Sequence, residues 1–214
     1  MRNFYPEGIP WPLTRLYARL TSIRIFKHVH AHFLSRLAKI AKRGARVLDV
    51  GMGPGQLPIA LARKRPDLKI VGMDISPDMV AIARENALKS GARVNFLQGS
   101  ASALPFPPSS FDLVFSTLSL HHWREPEKAF SEIRRVLRKG GKVVVWDVAA
   151  DAPQCAYDRL RIRYGWLRTL LFLLHRFTEP YYSKKEAAEL ARKAGFSSLS
   201  ARFDGIFFRL EATN

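Results

Sequence analysis

Apolar and polar positions along the chain follow two alternating periods. Short β-branched runs are each succeeded by a stretch with apolar residues three or four apart, the pattern of strands alternating with amphipathic helices. The first run, 45–50, precedes a helical pattern over 56–65 that Pro66 ends. The second, 68–73, precedes a helix opening at Ser76-Pro77-Asp78, with Ser76 as cap and Pro77 in the first turn, and Gly91 stops it. A third run, 93–97, leads into the loop GSASALPFPPSS, whose prolines forbid regular structure. The fourth, 111–116, is followed by a helix over 125–137 closed by Lys139-Gly140-Gly141, and the fifth spans 142–146. This alternation predicts an α/β fold built on a doubly wound parallel sheet.

Beyond the fifth run the pattern changes. The spacing predicts an inserted helix over 156–177 and another over 183–194, with Ser183 as cap and Gly195 as stop. Two β-like runs, 199–203 and 206–212, are joined by Asp204-Gly205, a hairpin turn signal, so the parallel sheet is expected to end in an antiparallel hairpin. At the front, 11–42 reads as one or two helices with Leu13, Leu16, Leu20, Ile23, Phe26, Val29, Phe33, Leu37 and Ile40 on one face. They would lie over the open edge of a nucleotide site or against the sheet. One domain accounts for all 214 residues. It divides into a helical cap (1–44), a ligand-binding core (45–150), a helical insertion (151–182) and a C-terminal helix with a hairpin (183–214).

Composition narrows the class. With 47% hydrophobic and 25% charged residues the chain is globular throughout. A single cysteine, Cys155, excludes a disulfide framework, a cysteine zinc site and multi-cysteine redox chemistry, and suits a reducing cytoplasm. No basic-then-apolar leader opens the chain, and the longest apolar run, 170–174, is far short of a membrane span. A net charge of +17 would attract nucleic acid, an anionic membrane surface or an acidic small molecule, and also fits an Arg-rich proteome from a hot habitat.

Candidate chemistry begins at VLDVGMGPGQL, 47–57. A dinucleotide turn needs its third glycine three residues after the second, but that position is Gln56; the third glycine is Gly55, giving G-x-G-x-G. No Gly-Lys-Ser/Thr follows and nothing in the turn is basic, which suits a ligand lacking phosphates.

These residues resemble the class I S-adenosylmethionine-dependent methyltransferases, in particular the small-molecule branch with the ubiquinone and menaquinone biosynthesis enzymes (methyltransferase type 11). VLDVGMGPGQ is similar to that family's first motif, VGMDISPDMV (71–80) to its second, FLQGSASALPFPPSSFDLVFSTLSLHHW (96–123) to its third and fourth, and RVLRKGGKVVVWD (135–147) to its fifth. The resemblance runs continuously over about 46–147. It implies a seven-stranded Rossmann-like sheet in the order 3-2-1-4-5-7-6 with the last strand antiparallel, and S-adenosylmethionine as methyl donor.

The chemistry of that donor agrees with the residues. Asp74, 25 residues after Asp49, can accept both ribose hydroxyls. Asp49 could hold the methionine ammonium directly or through water, while Gly51, Gly53 and Gly55, followed by Gln56, let the backbone come close. Ile75 and Met79 would wall the adenine, and Ser116 would line the methionine side. The family usually carries Gly-Asp after the third strand, whereas this chain has Gly99-Ser100; Ser100, or the backbone of Ala101, would then meet the adenine amino group.

Methyl transfer requires a base only if the acceptor must lose a proton. His121 and His122, in LHHW, are the catalytic candidates, with His121 preferred as base or substrate contact; Trp123 would close the pocket, and Asp147 is a second substrate contact or a turn residue. His28, His30 and His32 form H-x-H-x-H, but His30 points away from the other two on a helix and no acid completes a metal site. Acceptor specificity is expected in the aromatic, basic N-terminus (Phe4, Tyr5, Trp11, Tyr17) and in the insertion (Arg159, Arg161, Arg163, Arg168). The leading expectation is methylation of a small organic acceptor, lipid or quinone-like. RNA methylation and a noncatalytic S-adenosylmethionine-binding subunit are the alternatives.

Overall fold

The computed structural model describes residues 24–166 and 181–214. Seven strands form one sheet in the order β3-β2-β1-β4-β5-β7-β6, with β1 at Arg46–Val50, β2 at Lys69–Asp74, β3 at Val94–Gln98, β4 at Phe111–Thr117, β5 at Leu137–Val148, β6 at Ser197–Asp204 and β7 at Phe207–Thr213. The first five pair in parallel and β7 runs antiparallel to both β5 and β6. The expected order and the reversed last strand are both present.

Helices cover both faces: α1 (Arg24–Ile40), α2 (Gln56–Lys64), α3 (Pro77–Ser90), α4 (Pro126–Val136), α5 (Gln154–Tyr164) and α6 (Lys184–Lys193). Alternation along the strands assigns the two cores. Leu48, Val50, Val114, Val143 and Val145 pack on Phe130 and Ile133 of α4 and Ala187 and Leu190 of α6. On the other face Val47, Leu113, Phe115 and Trp146 pack on Phe33 and Leu37 of α1 and Leu57 and Leu61 of α2. The described part of the N-terminal segment thus lies against the sheet, and the tilted Phe33–Trp146 ring pair, 4.9 Å between centroids, fixes its approach. Leu13, Leu16, Leu20 and Ile23, with Phe4, Tyr5, Trp11 and Tyr17, lie outside the described residues.

Two expectations are corrected. Lys139-Gly140-Gly141 does not close α4; it lies within β5, which begins at Leu137. Phe111 pairs with Leu137, after which the register shifts. Gly140, at φ +73°, takes up the irregularity, and Asn214 ties the bend with bonds to Gly140, Gly141 and the Leu137 carbonyl. The inserted helix is broken within its expected span: Gly165, at φ 84° and ψ 159°, leaves helical geometry after Tyr164, and the expected stretch 167–177 lies outside the described residues. Arg168 and the run 170–174 lie outside the described residues. The end signals at Ser76, Gly91, Ser183 and Gly195 hold; Ser183 and Glu186 complete a reciprocal capping box.

Candidate active site

The strand order reverses between β1 and β4, and the carboxyl ends of these strands open a crevice there. Its floor is the glycine turn. Gly51, Gly53 and Gly55 all have positive φ, at +76°, +54° and +76°, which explains glycine at every second position. The amides of Gly51 and Met52 both donate to the Met73 carbonyl, at 2.8 and 3.1 Å. The third glycine serves packing between helices. A Cβ on Gly55 would meet the Ala83 Cβ at 2.8 Å, so this glycine permits α2 to pack on α3 and does not line the cleft.

Asp74 ends β2 on the cleft wall. One carboxylate oxygen accepts the Gly53 amide at 2.8 Å and the other the Ser76 amide at 3.0 Å. Burial raises its pKa, and these amides oppose the shift. Asp74 therefore holds the glycine turn and the start of α3 together while lining the cleft. Asp74→Ala is expected to lower stability by about 1–3 kcal/mol by orphaning both amides, in addition to weakening ligand binding. Denaturant melts with and without ligand check this, and unchanged stability would remove the structural half of the role.

Of the remaining donor-site candidates, Ile75, Met79, Gly99 and Ala101 line the same cleft as Gly51, Gly53 and Asp74. Ser100 does not: its hydroxyl bonds that of Ser102 at 3.0 Å, stabilising a tight turn. The backbone of Ala101, rather than Ser100, is positioned on the wall. Gln56 starts α2 and bonds the His30 imidazole, whose pKa burial lowers and this bond partly restores.

Asp49 and Ser116 are each 1% exposed, and the carboxylate oxygens of the one and the hydroxyl of the other have no hydrogen-bond partner among the described residues. Burial, then the nearby Asp74 charge, pushes the Asp49 carboxyl well above the usual range. Asp49 adjoins Val50 and Gly51, which are on the wall, whereas Ser116 is buried off the wall. Asp49 pairs in register with Phe115, so alternation aims Ser116 at the opposite face of the sheet and away from a shared role with Asp49.

Sequence reasoning missed Val50, Met73, Leu118 and Ser119 on the wall. Leu118 has φ +54°, a strained conformation for a branched side chain, directly after β4. Ser119 accepts the Trp123 indole N–H at 3.1 Å, and a Cβ on Gly51 would overlap its hydroxyl. The end of β4 was the available signal for Leu118 and Ser119, since ligands in such sheets sit beyond strand ends.

The two candidate catalytic histidines separate. His122 and Trp123 line the cleft. His121, 6% exposed, lies behind them on the wall of an adjoining hollow that shares His122 and Trp123 and extends to Arg124, Lys128, Tyr182 and Leu190. Asp147 lines neither hollow; its carboxylate receives His121 Nδ1 at 2.8 and 2.9 Å, the His121 amide at 3.0 Å and the Val148 amide at 2.7 Å. Its oxygens are turned to the histidine and to these two amides rather than to either hollow. The H-x-H-x-H set disperses: His28 meets the Tyr164 hydroxyl, His30 meets Gln56, and His32 meets Asp204 at 2.8 Å. Among the described residues no cluster of three or more potential ligands could hold a metal.

Residues 48–145 match a family model described as a methyltransferase domain. A demethylmenaquinone methyltransferase of Thermus thermophilus is 41% identical over 134 residues, 63% of this chain and 60% of that one. Another demethylmenaquinone methyltransferase, from Lactococcus lactis, is 31% identical over 210 residues, 88% of this chain and 81% of its own. Two further relatives are matched over only 47% and 40% of their lengths. A solved structure of a Pyrococcus horikoshii protein superposes with a TM-score of 0.73 at 21% identity, covering 96% of this chain and 99% of that one, which shows a common fold.

Proposed function

The chain belongs to the class I S-adenosylmethionine-dependent methyltransferases, and from that premise we propose that it methylates a small, quinone-like acceptor. The observation that carries the donor half is Asp49: a buried carboxylate without a hydrogen-bond partner among the described residues, beside a glycine turn open to close approach, suits a cationic ligand group. S-adenosylmethionine supplies an electrophilic methyl group on a sulfonium. Asp49 would hold its ammonium, Asp74 its ribose hydroxyls, and Ile75, Met79 and Ala101 the adenine. His122 and Trp123 would exclude water at the reacting end.

The acceptor class rests on the relatives, three of which are named for demethylmenaquinone. An electrophilic methyl needs an electron-rich partner, so the acceptor would be presented as the hydroquinone. Surface chemistry supports delivery from an anionic bilayer: Ile162 and Trp166 are 85% and 65% exposed, close in sequence to the exposed Arg159 and Arg163. The test is transfer of a labelled methyl group to reduced short-chain demethylmenaquinone carried in phosphatidylglycerol or phosphatidylcholine vesicles, with total RNA as a parallel acceptor. Label in the quinol, faster from the anionic vesicles, is expected. Label in RNA alone would overturn the acceptor; equal rates from both vesicles would remove only the bilayer; calorimetry showing no donor binding would overturn the whole reading.

A further inference from the structure

The proline-rich segment 99–110 contributes Gly99 and Ala101 to the wall of the donor cleft. Proline at 105, 107 and 108 removes three backbone donors, so no regular ladder can fix the segment and its anchors must come from elsewhere. The first anchor is the Gly99 amide, which donates to the Asp74 carbonyl at 3.0 Å. A tight turn follows, closed by the Ala103 amide on the Ser100 carbonyl at 3.1 Å and by the paired Ser100 and Ser102 hydroxyls. The second anchor is a pair of side chains on α4, neither of which lines the cleft.

Glu132 and Arg135 stand one turn apart on α4 and meet through two bonds of 2.7 Å, guanidinium fork against carboxylate. Together they hold both backbone groups of Leu104: its amide donates to Glu132 at 2.9 Å, and its carbonyl accepts from Arg135 at 2.9 Å. Arg135 Nη1 donates to the Phe106 carbonyl at 2.8 Å. The guanidinium holds the Glu132 carboxyl below its usual range, so the pair stays ionised. With Arg135 34% and Glu132 21% exposed, such a pair contributes little stability by itself. What it fixes is the course of the chain between Gly99 and Leu104.

We propose that Glu132 and Arg135 are positioning residues of the donor site: acting through Leu104, they set the main chain of 99–101 against which the donor's nucleobase is read. This rests on the methyl-donor reading above. Gly99 and Ala101 carry no polar side chain, and the Ser100 hydroxyl is engaged with Ser102 off the wall, so 99–101 offers the base main-chain groups alone. A main-chain group discriminates only as sharply as its position is fixed. Adenine presents an amino donor beside a ring acceptor, and hypoxanthine reverses both. A wall held in place therefore rejects the second base, and a loosened one adapts to either.

The first test needs no donor. In the ligand-free protein, Glu132→Ala should speed hydrogen exchange at the Ala103 amide by about tenfold or more, as the turn behind the wall loosens, and leave the Val114 amide of β4 unchanged. Ala103 exchange at the wild-type rate would overturn the proposal. The second test compares affinities for S-adenosylhomocysteine and S-inosylhomocysteine by calorimetry. The wild-type protein should prefer the adenine compound by about tenfold or more. Glu132→Ala and Arg135→Ala should weaken its binding about tenfold and reduce the preference to about threefold or less. Arg135→Lys, which keeps the charge but not the fork that spans two carbonyls, should fall between. Arg138→Ala, which frees the Ser109 carbonyl at the far end of the same segment, is the control and should keep the wild-type preference. A pair that merely stabilises the fold would lower the melting temperature of the alanine variants and leave the preference within about twofold of wild type, which would overturn the proposal alone. Wild-type protein that binds neither compound would overturn the donor reading, and the proposal with it.

Discussion

Replacing Asp49 with Asn is expected to raise the melting temperature of the ligand-free protein while weakening S-adenosylmethionine binding by about tenfold or more. The carboxylate is buried, its oxygens have no partner among the described residues, and Asp74 adds a second negative charge nearby. Removing an uncompensated buried charge should return about 1–3 kcal/mol, or roughly 2–4 °C per kcal/mol in a chain of this size. Removing the partner of a bound ammonium should cost a charge-assisted hydrogen bond of similar size.

The pH dependence follows from the sign of the shift. An acid whose folded pKa is raised binds more protons in the native state than in the unfolded one. Stability of the ligand-free protein therefore falls as pH rises from the ordinary value of 3.8 to the raised one, and stays reduced above it. Asp49→Asn should flatten that decline, leaving the smaller contribution of Asp74, which has the same sign. Thermal melts across pH, paired with calorimetry, check both halves. A lower melting temperature with unchanged donor affinity would contradict the assignment.

The second large effect is expected at Gly51. An alanine there must hold φ +76°, costing about 1–2 kcal/mol, and its Cβ would overlap the Ser119 hydroxyl. Ser119 would have to move, breaking the bond from the Trp123 indole, worth about 1 kcal/mol more. Gly51→Ala should thus lose about 2–3 kcal/mol and most donor affinity, since Gly51, Ser119 and Trp123 share one wall. Gly53 is the internal control: its φ is +54°, but a Cβ there meets nothing within 4 Å. Gly53→Ala should cost only the backbone strain, about 1–2 kcal/mol. Equal losses in the two variants, measured by denaturant unfolding, would remove the steric part of the argument.

How far the site was legible differs residue by residue. Gly51, Gly53, Asp74, Ile75 and Met79 were readable because motif spacing along a strand–turn–helix unit sets which backbone atoms face the crevice. Gly55 and Ser100 stand off the wall of the cleft for a common reason. A small residue in a motif serves either the ligand or its own neighbours, and only contacts across the chain decide, here with Ala83 and Ser102. Leu118 and Ser119 carried no residue-type signal at all; their place on the wall comes from where β4 stops. The glycines at 140 and 141 looked like a helix stop, yet β5 takes them in because Phe111 and Asn214 supply strand partners from afar.

The sequence by itself determined the sheet, its reversed last strand, the switch-point crevice and the identity of the glycine turn. The strands, helices and terminal hairpin follow from local periodicity and turn residues, interactions that reach only a few residues along the chain, whereas the strand order, with its crevice, and the donor are what the family resemblance implies. The tertiary structure alone decided the partners of the histidines. His121 and Asp147 are 26 residues apart, and His32 and Asp204 are 172 apart. Such pairings depend on which strand lies beside which, and on which face each side chain leaves, once the sheet has closed around its helices.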